Sequence, residues 1–287
     1  MRGTVVIPAH DESAVIGRCL SRLLDGVDPV DLDIIVVANG CSDDTAEIAR
    51  RFPVTVIEMG AASKARALNV GDALATALPR AYIDADVEIL GSDVLAVLDH
   101  LSSTRALAAA PTYEFDTTAC PWPIRAYYAV WTELPYAVDR PLGSGFYAVS
   151  AGGRARFERF PDAIADDLFI RSLFTRDERA SVEGTVVRVS TARRVGALVE
   201  RCTRVFVGNA ELAARDLVGT AAPPAGRTVL VDVVRARPSL ALSLPAYLAI
   251  TAVAKLRARR RLRSGDRSWG RDETSRRGPA VTDQEAP

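Results

Sequence analysis

The sequence predicts an α/β fold with a Rossmann-like, mostly parallel central sheet covered by helices on both faces. Three observations predict it. Apolar strand-like runs alternate with amphipathic helical stretches over the first hundred residues. The strands are continuously apolar rather than alternating. The 287 residues, 48% of them hydrophobic, are enough to bury a large core.

Thr4-Val5-Val6-Ile7-Pro8 reads as a buried strand, and Asp11-Glu12-Ser13 opens a helix whose Val15, Ile16, Cys19, Leu20, Leu23 and Leu24 share one face. Asp33 to Val37 is a second strand, Ser42 is placed to cap a helix through about Phe52, and Val54 to Ile57 is a third strand. A helix from about Ser63 to Leu78 leads into Ala81-Tyr82-Ile83-Asp84. Ligands of such sheets bind beyond the carboxyl ends of the strands, so segments 8–12, 39–44 and 84–86 should converge on one crevice. Past residue 110 the alternation stops, and half of the chain's Phe, Tyr and Trp residues fall between 113 and 147. A Gly-Ser-Gly turn at 143–145 leads into the strand Phe146 to Val149, and Ala165-Asp166-Asp167 starts another apolar helix.

Composition excludes several classes. With 36 Lys and Arg against 36 Asp and Glu, the chain has no net charge to attract nucleic acid generically. Two histidines, His10 and His100, exclude a metal site built on several imidazoles, so a metal would sit on carboxylates and phosphates. Four scattered cysteines without a CxxC spacing suggest neither a zinc ribbon nor a redox pair, and reduced cytosolic thiols are the simplest reading. The amino terminus has no charged region, long apolar stretch or cleavage site of a signal peptide. The expected location is therefore cytoplasmic, with the inner face of the cell membrane as the alternative.

Asp84-Ala85-Asp86 closes a strand, where side chains repeat every two residues, so both carboxylates should project to one side and suit Mg²⁺ or Mn²⁺. Solvated loop acids are the competing reading. Lys64 is one of only two lysines and stands at a helix start, where free N–H groups favour a phosphate. Asn39-Gly40-Cys41-Ser42-Asp43-Asp44 fits a ligand loop and equally a turn followed by a helix cap. Tyr127 and Trp131, spaced i,i+4, either stack on a ligand or pack a helix on the sheet. Gly143 and Gly145 either admit backbone close to a ligand or simply make a turn.

In this order, Val5 to Glu12, Ile35 to Thr45, Lys64 to Asn69 and Asp84-Ala85-Asp86 resemble the family 2 glycosyltransferases with a GT-A fold, over residues 4 to about 209. The resemblance implies nucleotide-sugar contacts from Pro8, His10, Glu12, Asn39, Asp43, Lys64 and Asp84, and metal and diphosphate binding by Asp84 and Asp86. Ala165-Asp166-Asp167 resembles the family's Thr-Glu-Asp, which implies Asp167 as general base with Asp166 as runner-up. Arg201-Cys202-Thr203-Arg204-Val205 resembles the QxxRW box, with Arg for Gln and Val for Trp, a departure that favours single addition over processive synthesis. Arg201 and Arg204 are implied nucleotide-sugar contacts at the diphosphate, and Trp122, Gly143 and Gly145 are implied on the acceptor or donor-sugar side.

The implied activity is inverting transfer of a sugar from a nucleotide-diphosphate sugar, UDP first, to an acceptor hydroxyl that is lipid-linked or belongs to a small natural product. A nucleotidyltransferase, and a non-catalytic nucleotide-sugar-binding or membrane-scaffold protein, are the alternatives. The first lacks its usual Gly-rich loop after the first strand, and a dehydrogenase lacks GxGxxG there.

The resulting domain plan is a catalytic domain at 1–218, divided near 110 into a nucleotide-sugar half and an acceptor half. A linker follows at 219–237, then an apolar-to-basic segment at 238–263 and a disordered tail at 264–287. Neutrality is a cancellation: residues 1–254 hold 26 basic and 31 acidic residues, whereas 255–277 hold 10 and 3. The segment 238–263 is expected to be an interfacial membrane anchor, a buried terminal helix or a dimer contact.

Overall fold

The computed structural model describes residues 3–138, 142–163, 165–218 and 227–264. Its first half is a repeated strand-helix unit: β1 (Gly3–Ala9), α1 (Ile16–Leu24), β2 (Leu32–Asn39), α2 (Thr45–Ala49), β3 (Thr55–Met59), α3 (Lys64–Leu74) and β4 (Arg80–Ile83). These strands pair in parallel in the order β3-β2-β1-β4, with Val6 opposite both Ile35 and Tyr82. The chain steps outward from β1 to β3 and then crosses to the other side of β1. The carboxyl ends of β1 and β4 therefore flank the reversal of strand order, where a crevice opens.

The second half of the sheet is mixed. It adds β5 (Val87–Ile89), β6 (Ala108–Asp116), β7 (Phe146–Val149) and β8 (Arg179–Ser190) in the spatial order β4-β7-β6-β8-β5. β7 is antiparallel to β4 and β6, β8 is parallel to β6 across a register shift at Pro111/Thr112, and β5 is antiparallel to β8. The remaining helices are α4 (Gly91–Ser103), α5 (Trp122–Trp131), α6 (Pro135–Val138), α7 (Ala151–Arg154), α8 (Asp166–Ser172), α9 (Val195–Ala214), α10 (Arg227–Ala236) and α11 (Leu244–Ser264).

Two cores result. The larger surrounds the sheet and holds Val5, Ile7, Leu20, Leu98, Tyr82, Phe146, Phe160 and Phe174. The smaller lies under α5, α9 and α11 and joins Ile124, Tyr127, Tyr128, Leu198, Cys202, Tyr247 and Ile250. Tyr127 stacks on Tyr247 at 5.3 Å, and Trp131 meets Phe115 edge-on at 5.0 Å. Packing is thus what the i,i+4 aromatic pair does. All four cysteines are free thiols, and burial pushes Cys19 up to about 12.

Several elements differ from the sequence reading. The helix expected to reach Leu78 stops at Leu74: Ala75 closes the last turn with its N–H on Gly71 O and is itself extended. α2 ends at Ala49, short of Pro53. Ser42 caps nothing: α2 starts behind Asp44, and Ser42 instead donates its N–H and hydroxyl to Asp11 Oδ1 at 2.6 and 3.2 Å. The linker expected at 219–237 is helix α10 from Arg227 onward, since Val229, Leu230 and Val233 pack against the smaller core. Its first part, 219–226, and the tail from 265 lie outside the described residues. The segment at 238–263 is a 3₁₀ turn, Pro238–Leu242, followed by α11. Among the described residues no helix is long and apolar enough to cross a membrane.

Candidate active site

The ends of β1 and β2 and the start of α3 are tied together by hydrogen bonds. The Asn39 amide donates to Ala9 O at 2.8 Å while its Oδ1 accepts from Ser63 N at 3.0 Å, which joins two strand ends to the start of α3. His10 Nδ1 lies 2.7 Å from Asn39 O, and Glu12 N donates to Thr45 Oγ1 at 2.7 Å. Asp43 accepts from Ser13 N at 3.0 Å and from Thr45 N at 3.1 Å. Burial opposes ionisation of Asp43, and these donors outweigh it, holding its carboxyl below its ordinary value. His10, Asp11 and Cys41 bring donor atoms within 4.8 Å of one another, but Asp11 N bonds Cys41 Sγ at 3.4 Å, which marks the group as part of the same loop clasp.

Asp84 and Asp86 reach the crevice differently from the sequence expectation. β4 stops at Ile83, and 84–86 form a turn into β5 rather than an extended strand end, so strand periodicity does not orient the pair. Asp84 N donates to Gly145 O at 2.9 Å and Val87 N returns to Asp84 O at 3.3 Å, which bends the chain there. The 143–145 turn packs directly behind. Gly145 has φ +91, and a Cβ on it would stand 2.4 Å from Val87 Cγ1. Gly143 has φ +124, and a Cβ there would stand 2.9 Å from Asp167 Oδ2. Both positions need glycine for conformation and for space.

Lys64, capped into place by Ser63 Oγ accepting from Arg66 N, links the two acidic groups. Its ammonium is 2.7 Å from Asp84 Oδ1 and 2.9 Å from Asp166 Oδ1. Burial lowers the Lys64 pKa, but Asp166 and then Asp84 outweigh that and raise it above the ordinary value. Asp166 is buried, and its other oxygen accepts from Tyr147 OH at 3.0 Å. Asp167 accepts from its neighbour's N–H, Leu168, at 2.8 Å; burial first, and the charge of Asp166 second, push its pKa up to about 6.

These elements enclose a cavity of about 350 Å³. Of the residues expected in the site, Pro8, His10, Glu12, Asn39, Lys64, Asp84, Asp86, Gly145, Arg201 and Arg204 line it. Arg201 and Arg204 project from one face of α9; Tyr128 first, then Asp86 against the opposing effect of burial, raise the Arg201 pKa. Asp43, Asp166, Asp167 and Gly143 stand behind the lining. Trp122 starts α5 with 54% of its surface exposed, away from it.

A model of the glycosyl transferase family 2 matches residues 4–159, more than half of the chain. The chain belongs to that family. The 4,4'-diaponeurosporenoate glycosyltransferase of Staphylococcus aureus is 33% identical over 101 residues, a stretch covering 33% of this chain and 26% of that protein. The match thus spans about a quarter of the curated relatives' length. The mannosyltransferase PcManGT of Pyrobaculum calidifontis, solved with GDP-Man and Mn²⁺, superposes with a TM-score of 0.60 at 21% identity, over 92% of this chain and 79% of that one. Glucosyl-3-phosphoglycerate synthase of Mycobacterium tuberculosis, solved with Mn²⁺, UDP and glucosyl-3-phosphoglycerate, gives 0.54 at 20% identity, over 72% and 78%. At these identities the likeness establishes the GT-A fold.

In this family 2 domain the donor set around Asp84 and Asp86 suits a hard divalent cation. Both are carboxylates on one turn at the cavity wall, and Asp84 already holds a cation, the Lys64 ammonium. One participant escaped the sequence reading: Tyr147, whose hydroxyl holds Asp166, follows a Gly-Ser-Gly-Phe run that carries no sign of that role. Its partner is set by how β7 packs against α8. A second unforeseen participant, the Ser63 backbone N–H, has a weak local signal, since a serine before a helical run is a cap.

Proposed function

We propose that the protein is an inverting glycosyltransferase that moves a sugar from a nucleotide-diphosphate sugar to an acceptor hydroxyl, with Asp167 as general base. One observation carries the reading: Lys64, in the cavity lining, joins Asp84 to Asp166 just behind that lining, with Arg201 and Arg204 lining the same cavity. Asp84 and Asp86 would hold Mg²⁺ or Mn²⁺, which supplies positive charge to the departing diphosphate. Lys64, Arg201 and Arg204 add fixed cations that stabilise the same developing charge.

The acid pair divides its labour by environment. Asp166 has one oxygen on Lys64 and the other on Tyr147, so it is a fixed anion that orients the lysine. Asp167, with a pKa raised to about 6, sits close to the range in which a carboxylate both loses its proton and accepts another. It takes the acceptor's proton as the hydroxyl attacks the anomeric carbon from the face opposite the diphosphate, which inverts that carbon. The proposed donor is a UDP-sugar. A GDP-sugar is the competitor, because the mannosyltransferase with the similar fold holds GDP-Man.

The test is a thermal-shift comparison of UDP-, GDP- and TDP-sugars with Mn²⁺, followed by turnover with the stabilising donor. One nucleotide class should raise the melting temperature, a chelator should abolish both shift and turnover, and the product should carry the inverted anomer. Full turnover in the presence of chelator removes the metal from the proposal, and a retained anomer removes Asp167 as base.

A further inference from the structure

Helix α11 has two faces of different chemistry. Its inner stripe, Tyr247, Ile250, Ala254 and Ala258, is buried against α9 and α5. Thr203 Oγ1 donates to Ala254 O at 3.5 Å, and Arg261 pairs with Glu200 at 2.6 Å, so the helix is fastened to the body along its length. The solvent side carries Leu248, Val253 and Leu256, which are 46%, 43% and 50% exposed. Leu242, in the turn just ahead, is 81% exposed. Farther along the helix come four exposed arginines, Arg259, Arg260 and Arg263 on the outer side and Arg257 at its flank, with no acidic residue between 255 and 264.

An occupant of this side must be apolar at one end and anionic at the other. A second copy of the chain would bury the leucines but set arginines against arginines or against leucines. A bilayer leaflet with anionic headgroups satisfies both demands, since leucine and valine enter the acyl boundary while arginines remain among the phosphates. We propose that the outer face of α11 docks on an anionic lipid surface. The inner stripe makes this a rigid contact of the folded domain, not a loose tether. α9 lies between α11 and the cavity, with Arg201 and Arg204 at the cavity and Cys202 and Thr203 toward α11, so docking sets the cavity two helix diameters, about 20 Å, behind the contact face. The surface stands apart from the transfer reaction and is tested without it.

The experiment is flotation of the full chain with phosphatidylcholine vesicles, with and without phosphatidylglycerol. The wild type should float with the anionic vesicles and be released by salt. The Arg257/Arg259/Arg260/Arg263→Gln variant, whose positions are exposed, should bind at least about 100-fold more weakly. Leu248/Val253/Leu256→Ser should weaken binding at least about tenfold. Both should keep the wild-type melting temperature. The proposal is overturned if the wild type stays with the lipid-free fraction or binds both vesicle types alike. It is equally overturned if both variants bind as the wild type does, or if the serine variant merely splits a dimer with lipid binding unchanged. Salt sensitivity of the wild type tests the electrostatic part without any variant.

Discussion

The two walls of the cavity are held by different kinds of structure. On the wall formed by the ends of β1 and β2 and the start of α3, the chain is tied by loop-to-loop hydrogen bonds such as Asn39 to Ala9 and to Ser63. The facing wall has the 84–86 turn, Gly145 that holds it and one side of α9, with Gly143 and the start of α8 behind, and these are positioned by a mixed sheet and by a separate core under α5, α9 and α11. The first wall is preassembled by its own loops. The second depends on packing between segments far apart in the chain, and Lys64 is the ionic link between the two.

Removing the chemistry of the second wall without its structure should give the largest effect. Asp167→Asn should lower turnover by about 10² to 10⁴ while nucleotide affinity stays within a few-fold, read by steady-state kinetics beside a binding titration. Near-normal turnover would transfer the base role elsewhere. The support of that wall comes next. Ile250→Ala, in the smaller core, should cost about 2–5 kcal/mol of stability by denaturant unfolding. If the first wall is indeed self-held, nucleotide affinity below the transition should be unaffected; a parallel loss would show that the walls are not separable.

Gly145→Ala should destabilise by about 1–3 kcal/mol, because its Cβ meets Val87 and its φ of +91 is poor for alanine. Since the same turn accepts the Asp84 N–H, metal or nucleotide affinity should fall with it, and an unchanged affinity would uncouple turn and acid pair. The smallest effect is titration. With the Asp167 pKa near 6, its basic form is lost as pH falls, so turnover should be level above about 7 and drop about tenfold at one pH unit below the midpoint. A plateau extending down to pH 4 would mean that Asp167 is not raised, or is not the base.

Legibility followed the same division. Continuous apolar strands, the helix start at Lys64 and the strand-end positions of His10, Glu12 and Asn39 were readable because each rests on local periodicity and turn chemistry. The orientation of Asp84 and Asp86 was not, since the strand yields to a turn held by Gly145, a contact from another strand. Nor was the role of Tyr147, which depends on how β7 packs against α8.

By itself, then, the sequence determined the α/β architecture, the family and the convergence of three strand ends, because hydrophobic periodicity and short-range backbone preferences are encoded residue by residue. Tertiary structure decided the rest. It selected the turn at 84–86, divided Asp166 from Asp167 by burial and partners, and turned the apolar-to-basic segment into a helix with one fastened and one open face. Those outcomes depend on desolvation and on contacts between distant segments, which exist only once the chain has packed.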